Sequence, residues 1–242
     1  MKRIICGMLL ALLLVAAIGC GGGSPTPVGK TMTNDEVNTT YSTASIGMQA
    51  VGLGMNYVAD PFGTSAIGTL ANSIKTLSVP TYTWSGPDSS GWYTTTETDP
   101  YTSATYTYSI RYLEASNTIE VKSSFSMTSG GETVTTDILF SLSQSTDNKW
   151  TGSMRATMAT TSMGTMKMEY NFTNIDGTAY GSGTYQIWIE VIGGPAPMSR
   201  TQYADFTVSY DSAHDPPIHL TGWYGSGSSK VTFPADHWVA IP

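Results

Sequence analysis

Two periods of apolar residues divide the chain. Val37, Tyr41, Ala44, Met48, Val51, Met55 and Val58 recur at alternating steps of four and three, which puts them on one face of a helix over 33–59. Thr33-Asn34-Asp35-Glu36 precedes them as a capping box, in which the Thr33 hydroxyl satisfies an orphan N–H and Glu36 reaches back. Asp35 and Glu36 also suit the positive end of the helix. Gly47, Gly52 and Gly54 each cost about 1 kcal/mol relative to Ala, so packing must hold this helix. Asp60-Pro61 ends it. Ile67, Leu70, Ala71, Ile74 and Leu77 mark a second helix over 64–78, before Pro80.

From residue 81 the period becomes two. Tyr106, Tyr108, Ile110 and Tyr112 alternate with polar residues, as do Ile119, Val121, Phe125 and Met127. The pattern repeats at Val134–Leu142 (broken at Leu139), Trp150–Met158, Met166–Phe172, Tyr185–Val191 and Phe206–Tyr210. These runs are β-branched or aromatic, and Asn, Asp and Gly clusters separate them. The spacing predicts about ten or eleven strands, and short connections make neighbours antiparallel. The expected fold is mainly β with N-terminal helices: one antiparallel meander sheet, strongly curved or a half-closed barrel, packed on the two helices. Residues 33–242 would form a single domain, helical over 33–78 and β over 81–242. A membrane barrel shares the signature of alternating ten-residue strands, but the helical region and the tether described next count against it. Ser90-Gly91-Trp92-Tyr93 is echoed by Thr221-Gly222-Trp223-Tyr224. Rim strands meeting at a closure would bring the two within about 10 Å, two strand spacings; chance in a Gly-, Ser- and Tyr-rich chain is the plainer source.

The first residues, MKRIICGMLLALLLVAAIGC, form a different unit. Lys2 and Arg3 precede an apolar run over 4–18, which is short for a spanning helix. The run ends in Ala17-Ile18-Gly19-Cys20, which resembles the lipobox of bacterial lipoprotein signal peptides. The resemblance covers residues 1–20 only. It implies removal of 1–19 as a signal peptide and acylation of Cys20, the membrane being the partner. Gly21 stands where an Asp would mark inner-membrane retention, which favours the outer membrane. Residues 20–32 read as the lipidated Cys and a flexible Gly/Ser/Pro tether.

Composition narrows the chemistry. The formal charge is −7 on 242 residues, and only 12% are charged, about half the usual share. Phosphate recognition needs clustered Lys and Arg, so nucleic acid is not an expected partner. Forty per cent hydrophobic residues argue against whole-chain disorder. With Cys6 in the leader, Cys20 is the only cysteine left after processing, so no disulfide framework is possible. No nucleophile elbow, P-loop or H-E-x-x-H occurs. His214 and His219, with Asp211 or Asp215, could in principle ligate zinc, but their spacing fits no closed motif. Glu120, Asp137, Glu169, Glu190 and Asp205 fall at outward or unclear parity, with nothing to suggest a glycosidase pair. No cofactor, metal or catalytic residue is expected.

Two residue classes remain. Met154, Met158, Met163, Met166 and Met168 lie within fifteen residues. Thioethers bind Cu(I), yet inward parity points to core or to an adaptable pocket lining. With Tyr170 and Phe172, the inward methionines Met154, Met158, Met166 and Met168 are the candidate ligand-pocket lining. Trp188 stands on a polar face, and Trp92 and Trp223 belong to adjacent aromatic pairs. These three are the candidate surface contacts. Two non-enzymatic functions follow with equal weight: a lipoprotein that binds or carries a hydrophobic ligand between sheet and helices, or a structural or surface-interaction lipoprotein with a filled core.

Overall fold

The structure, a computed structural model, describes residues 27–57, 82–98, 104–129, 131–162, 164–177 and 180–240. The leader, Cys20, the second expected helix over 64–78 and Met163 lie outside these residues. The described part is mainly β: one helix followed by an antiparallel meander.

Helix α1 (Asn34–Met55) begins as expected. The Thr33 hydroxyl accepts from the Glu36 N–H at 3.3 Å, and Glu36 accepts from the Thr33 N–H at 2.7 Å. That contact, a backbone N–H on its carboxylate, holds the Glu36 pKa below the usual carboxylate range. The helix stops at Met55 rather than reaching 59. The Asn56 N–H bonds back to both Gly52 and Leu53, tightening the last turn where two glycines weaken it.

The sheet is formed by β1 (Tyr93–Thr98), β2 (Thr105–Leu113), β3 (Thr118–Ser129), β4 (Glu132–Gln144), β5 (Lys149–Thr160), β6 (Gly164–Asp176), β7 (Gly183–Ile192), β8 (Met198–Tyr210), β9 (Ile218–Tyr224), β10 (Val231–Thr232) and β11 (Trp238–Val239). Each strand from β1 to β10 pairs with the next, and β11 pairs with β9. Asn117 and Asn148, both at positive φ, turn the chain between β2 and β3 and between β4 and β5. The sheet is not closed. Ser85 occupies part of the outer edge of β1, exchanging two 2.8 Å backbone bonds with Thr94. Among the described residues no ladder joins β1 to β9 or β10. The two Trp-Tyr echoes therefore stand near opposite ends of an open sheet, not at a closure.

The period-two pattern builds one apolar face. Tyr93, Ile110, Val121, Phe140, Met154, Tyr170, Ile187, Ala204 and Tyr224 lie in register across nine strands. All belong to or pack against one core that includes the buried face of α1. The helix crosses the strands. Tyr41 meets Tyr108 of β2, Gly47 lies on Trp150 of β5, and Gly54 lies on Tyr185 of β7. Thirteen residues of helix rise about 20 Å, against about 24 Å for five strand spacings. Successive turns therefore meet successive strands. Among the described residues no helix is long and apolar enough to cross a membrane.

The segment expected to be a flexible tether is partly docked. Gly29 donates to Ser90 at 3.1 Å and Lys30 to Tyr112 at 2.8 Å. Buried Arg111 donates to the carbonyls of Pro27 at 2.8 Å and Ser90 at 3.2 Å, and pairs with Glu120 at 2.7 Å. The Tyr93 hydroxyl accepts from the Met32 N–H and donates to its carbonyl. Residues 27–32 are held because their backbone groups find partners on β1, on β2 and at Ser90 just before β1.

Candidate functional site on the polar sheet face

The side of the sheet away from α1 carries the charged and amide side chains. Across β5 to β8, Arg155, Glu169, Trp188 and Gln202 stand in register. Two residues along in one direction run Thr157, Lys167 and Glu190. In the other direction run Asn171, Gln186, Asp205 and Trp223, reaching β9. Trp188 and Trp223 thus share one face, and a band of amides and a carboxylate separates them.

A β-bulge makes this arrangement. Ile187 pairs with Ala204, but Trp188 pairs with Gln202, so Tyr203 is an extra residue in β8. Counted at strict period two from Phe206, Gln202 and Arg200 would point into the apolar face. The bulge returns them to the polar face beside Trp188 and leaves Tyr203 buried. Neither residue stands out in the sequence, because Tyr203 and Ala204 are both apolar enough to hide the shift.

Ion pairs tie the site together. Glu169 meets Arg200 at 3.0 Å and Arg155 at 4.0 Å, and Lys167 meets Glu190 at 3.6 Å. Their cations are half exposed or more, so each pair contributes at most about 1 kcal/mol. Gln186 and Gln202 both donate to Asp205, at 3.0 and 3.4 Å. The Arg200 guanidinium lies 5.2 Å from the Trp188 ring, and the Lys230 ammonium lies 3.6 Å from the Trp223 ring. Such contacts at exposed sites are worth about 0.5–1 kcal/mol, weak enough for a ligand to displace the cation. Over Trp188 the surface dips into a shallow depression of about 240 Å³, bordered by Arg155, Thr157, Lys167, Glu169, Glu190 and Arg200.

The remaining candidates fall elsewhere. Trp92 points outward, as its parity requires, but Arg111 and Lys122 roof it at 4.5 and 3.7 Å and leave it 8% exposed. It is a packing residue rather than a free surface contact. Met154, Met168, Tyr170 and Phe172 are buried in the core, Met166 packs against that core, and Met158 is half-buried. His214 and His219 both stack on Trp238, at 3.6 and 4.6 Å, with ring nitrogens against the carbonyls of Pro216 and Ala235. Among the described residues no three His, Cys, Asp or Glu side chains converge on a common point. A larger groove of about 480 Å³ runs between α1 and the ends of β2 to β4. Its Thr39, Thr40 and Thr43 hydroxyls donate to carbonyls one turn back in α1, and Glu36 serves the cap. These four side chains are therefore committed to the helix.

Comparison of the chain with protein families, with curated proteins and with solved structures found no match in any of the three.

Proposed function

We propose that the protein is a non-enzymatic, lipid-anchored protein of the cell envelope that meets its partner through the polar face of its sheet. The observation that carries the interaction reading is the pair Trp188 and Trp223, half-buried on one face with Arg200 and Gln202 turned out beside Trp188. The lipobox-like Ala17-Ile18-Gly19-Cys20 supplies the anchor, with acyl chains on Cys20 and the outer membrane as the favoured site. From Cys20 to the docked Pro27 is seven residues, at most about 25 Å of chain. On this reading the domain stays close to the bilayer, and the sheet is strongly curved about its helical side as a half-closed barrel.

Carriage of a hydrophobic ligand is the second reading, and half-buried Met158 and Met166 favour it. Close packing between α1 and the sheet at Gly47 and Gly54 supports a filled core instead.

Metabolic labelling with an alkyne fatty acid tests the anchor. Label is expected on the full chain, and Cys20→Ala is expected to lose it and release the protein from the membrane fraction. Equal labelling of Cys20→Ala would overturn the anchor. Labelled protein sprayed from native conditions is expected to carry no extra mass beyond its own acyl groups. A reproducible lipid adduct would move the case to the carrier reading.

A further inference from the structure

We propose that the polar face between Trp188 and Trp223 binds a linear, uncharged saccharide chain. The inference deepens the surface-interaction reading and rests on it, but it does not depend on the lipid anchor.

Spacing is the first argument. Trp223 lies two strands from Trp188 and two residues along, which places their Cα atoms about 12 Å apart at ordinary strand spacing and rise. That exceeds one sugar ring, so the two indoles suit separated units of one chain. Each offers an apolar surface to the C–H face of a pyranose. Gln186, Gln202 and Asp205 lie between them, already hydrogen-bonded to one another. Planar amide and carboxylate groups of this kind present fixed donors and acceptors to vicinal hydroxyls.

Charge is the second argument. Glu169 is matched by Arg200 and Arg155, and Glu190 by Lys167. With Asp205 and Lys230 the face carries four cations against three carboxylates, an excess of one charge that is a weak basis for selecting an ionic ligand. Shape is the third. The depression over Trp188, about 240 Å³, falls below the usual range for enclosed small-molecule sites, about 300–1,000 Å³. Its outward lining is charged, hydroxylic or indole, with no aliphatic pocket of the kind that seats a protein hot spot. The bulge at Tyr203 adds a structural reason: it turns two hydrogen-bonding side chains out beside the indole that would carry the sugar.

The test uses full-length protein in a detergent without a sugar headgroup. Cellohexaose, maltohexaose, mannohexaose and chitohexaose are titrated in turn, read by tryptophan fluorescence and by heat. At least one is expected to bind saturably, with an affinity that does not change between low and high salt. Trp188→Ala and Trp223→Ala are each expected to weaken it by about tenfold or more. Trp188→Phe should stay within about threefold, and Trp92→Phe should have no effect. The disaccharide of the bound series, which reaches one platform only, should bind at least about tenfold more weakly. Saturation by none of the hexasaccharides, or full affinity in a folded Trp188→Ala variant, would overturn the proposal. Binding only to polygalacturonate, lost at high salt, would overturn the uncharged class. Capture of an envelope polypeptide that depends on Trp188, without any saccharide binding, would overturn the saccharide and leave the interaction surface standing.

Discussion

Gly54 shows how far single residues set this fold. Read along the chain, three glycines in one helix look like a weakness of about 1 kcal/mol apiece. In the structure two of them, Gly47 and Gly54, let the helix backbone lie on aromatic rings. A Cβ at Gly47 would stand 2.6 Å from Trp150, and one at Gly54 would fall inside the Tyr185 hydroxyl. Tyr185 has no room to retreat, since it is fully buried, stacks on Phe206 at 5.0 Å and donates to the Gly181 carbonyl at 2.6 Å. Gly54→Ala is therefore expected to destabilise the protein by about 1–3 kcal/mol through overpacking, despite the gain in helix propensity. Adding Tyr185→Ala removes the obstructing ring together with its hydroxyl, so the double variant should lose less than the two single losses combined. Denaturant midpoints of the four proteins measure this coupling, and simple additivity would contradict the close approach.

Among the elements, the strands were the most legible, because period-two alternation marks each run from β2 to β8, interrupted at Leu139 and at the β8 bulge. The core row from Ile110 to Ile187 follows directly from that alternation. The bulge in β8 was hidden, because an inserted apolar residue beside Ala204 leaves no trace in a hydrophobic pattern. Half of the candidate site was hidden with it: Trp188 and the outward acids could be read from parity, but Arg200 and Gln202 could not. The docked segment before α1 was also unreadable. Gly, Pro and Val composition describes a free linker equally well, and its partners lie some 60–80 residues further on. Arg111 ties it to the sheet, and Arg111→Ala would leave half-buried Glu120 and the Pro27 carbonyl without the guanidinium, while the Ser90 carbonyl keeps the Gly29 N–H. The expected cost is about 3 kcal/mol. Arg111→Lys should restore little, since a single ammonium cannot reproduce the guanidinium fork. In the alanine variant, protease cleavage within 27–32 is expected to speed up well before global unfolding does. Unchanged cleavage there would show that backbone bonds alone hold the segment.

At the scale of the whole molecule, the strongest demand on solution conditions comes from tyrosine rather than from the sparse charges. Tyr41, Tyr82 and Tyr108 pack together where α1 meets the start of the sheet, with ring centroids 5.8–6.4 Å apart. Burial raises all three phenols, with a smaller contribution from their neighbours' charge, and pushes Tyr82 up to about 12. Buried Tyr185 is raised as well, again chiefly by burial. An unfolded tyrosine ionises near pH 10. The folded state therefore keeps protons that the unfolded chain releases, so stability is full below about pH 10 and falls as pH rises toward and through 12. Denaturant midpoints should be level from pH 7 to about 9.5 and then drop, with phenolate absorbance from the buried set appearing only as the protein unfolds. Lysine neutralisation in the same range acts on any protein of this charge, and Tyr41→Phe separates the two effects. The Tyr41 hydroxyl is buried and has no hydrogen-bond partner among the described residues. Its removal should leave stability at pH 7 unchanged or raise it by about 1 kcal/mol. The same change should flatten the alkaline fall, because one raised phenol is gone. If the variant falls as steeply as the parent, the loss at high pH belongs to net charge and not to the buried phenols.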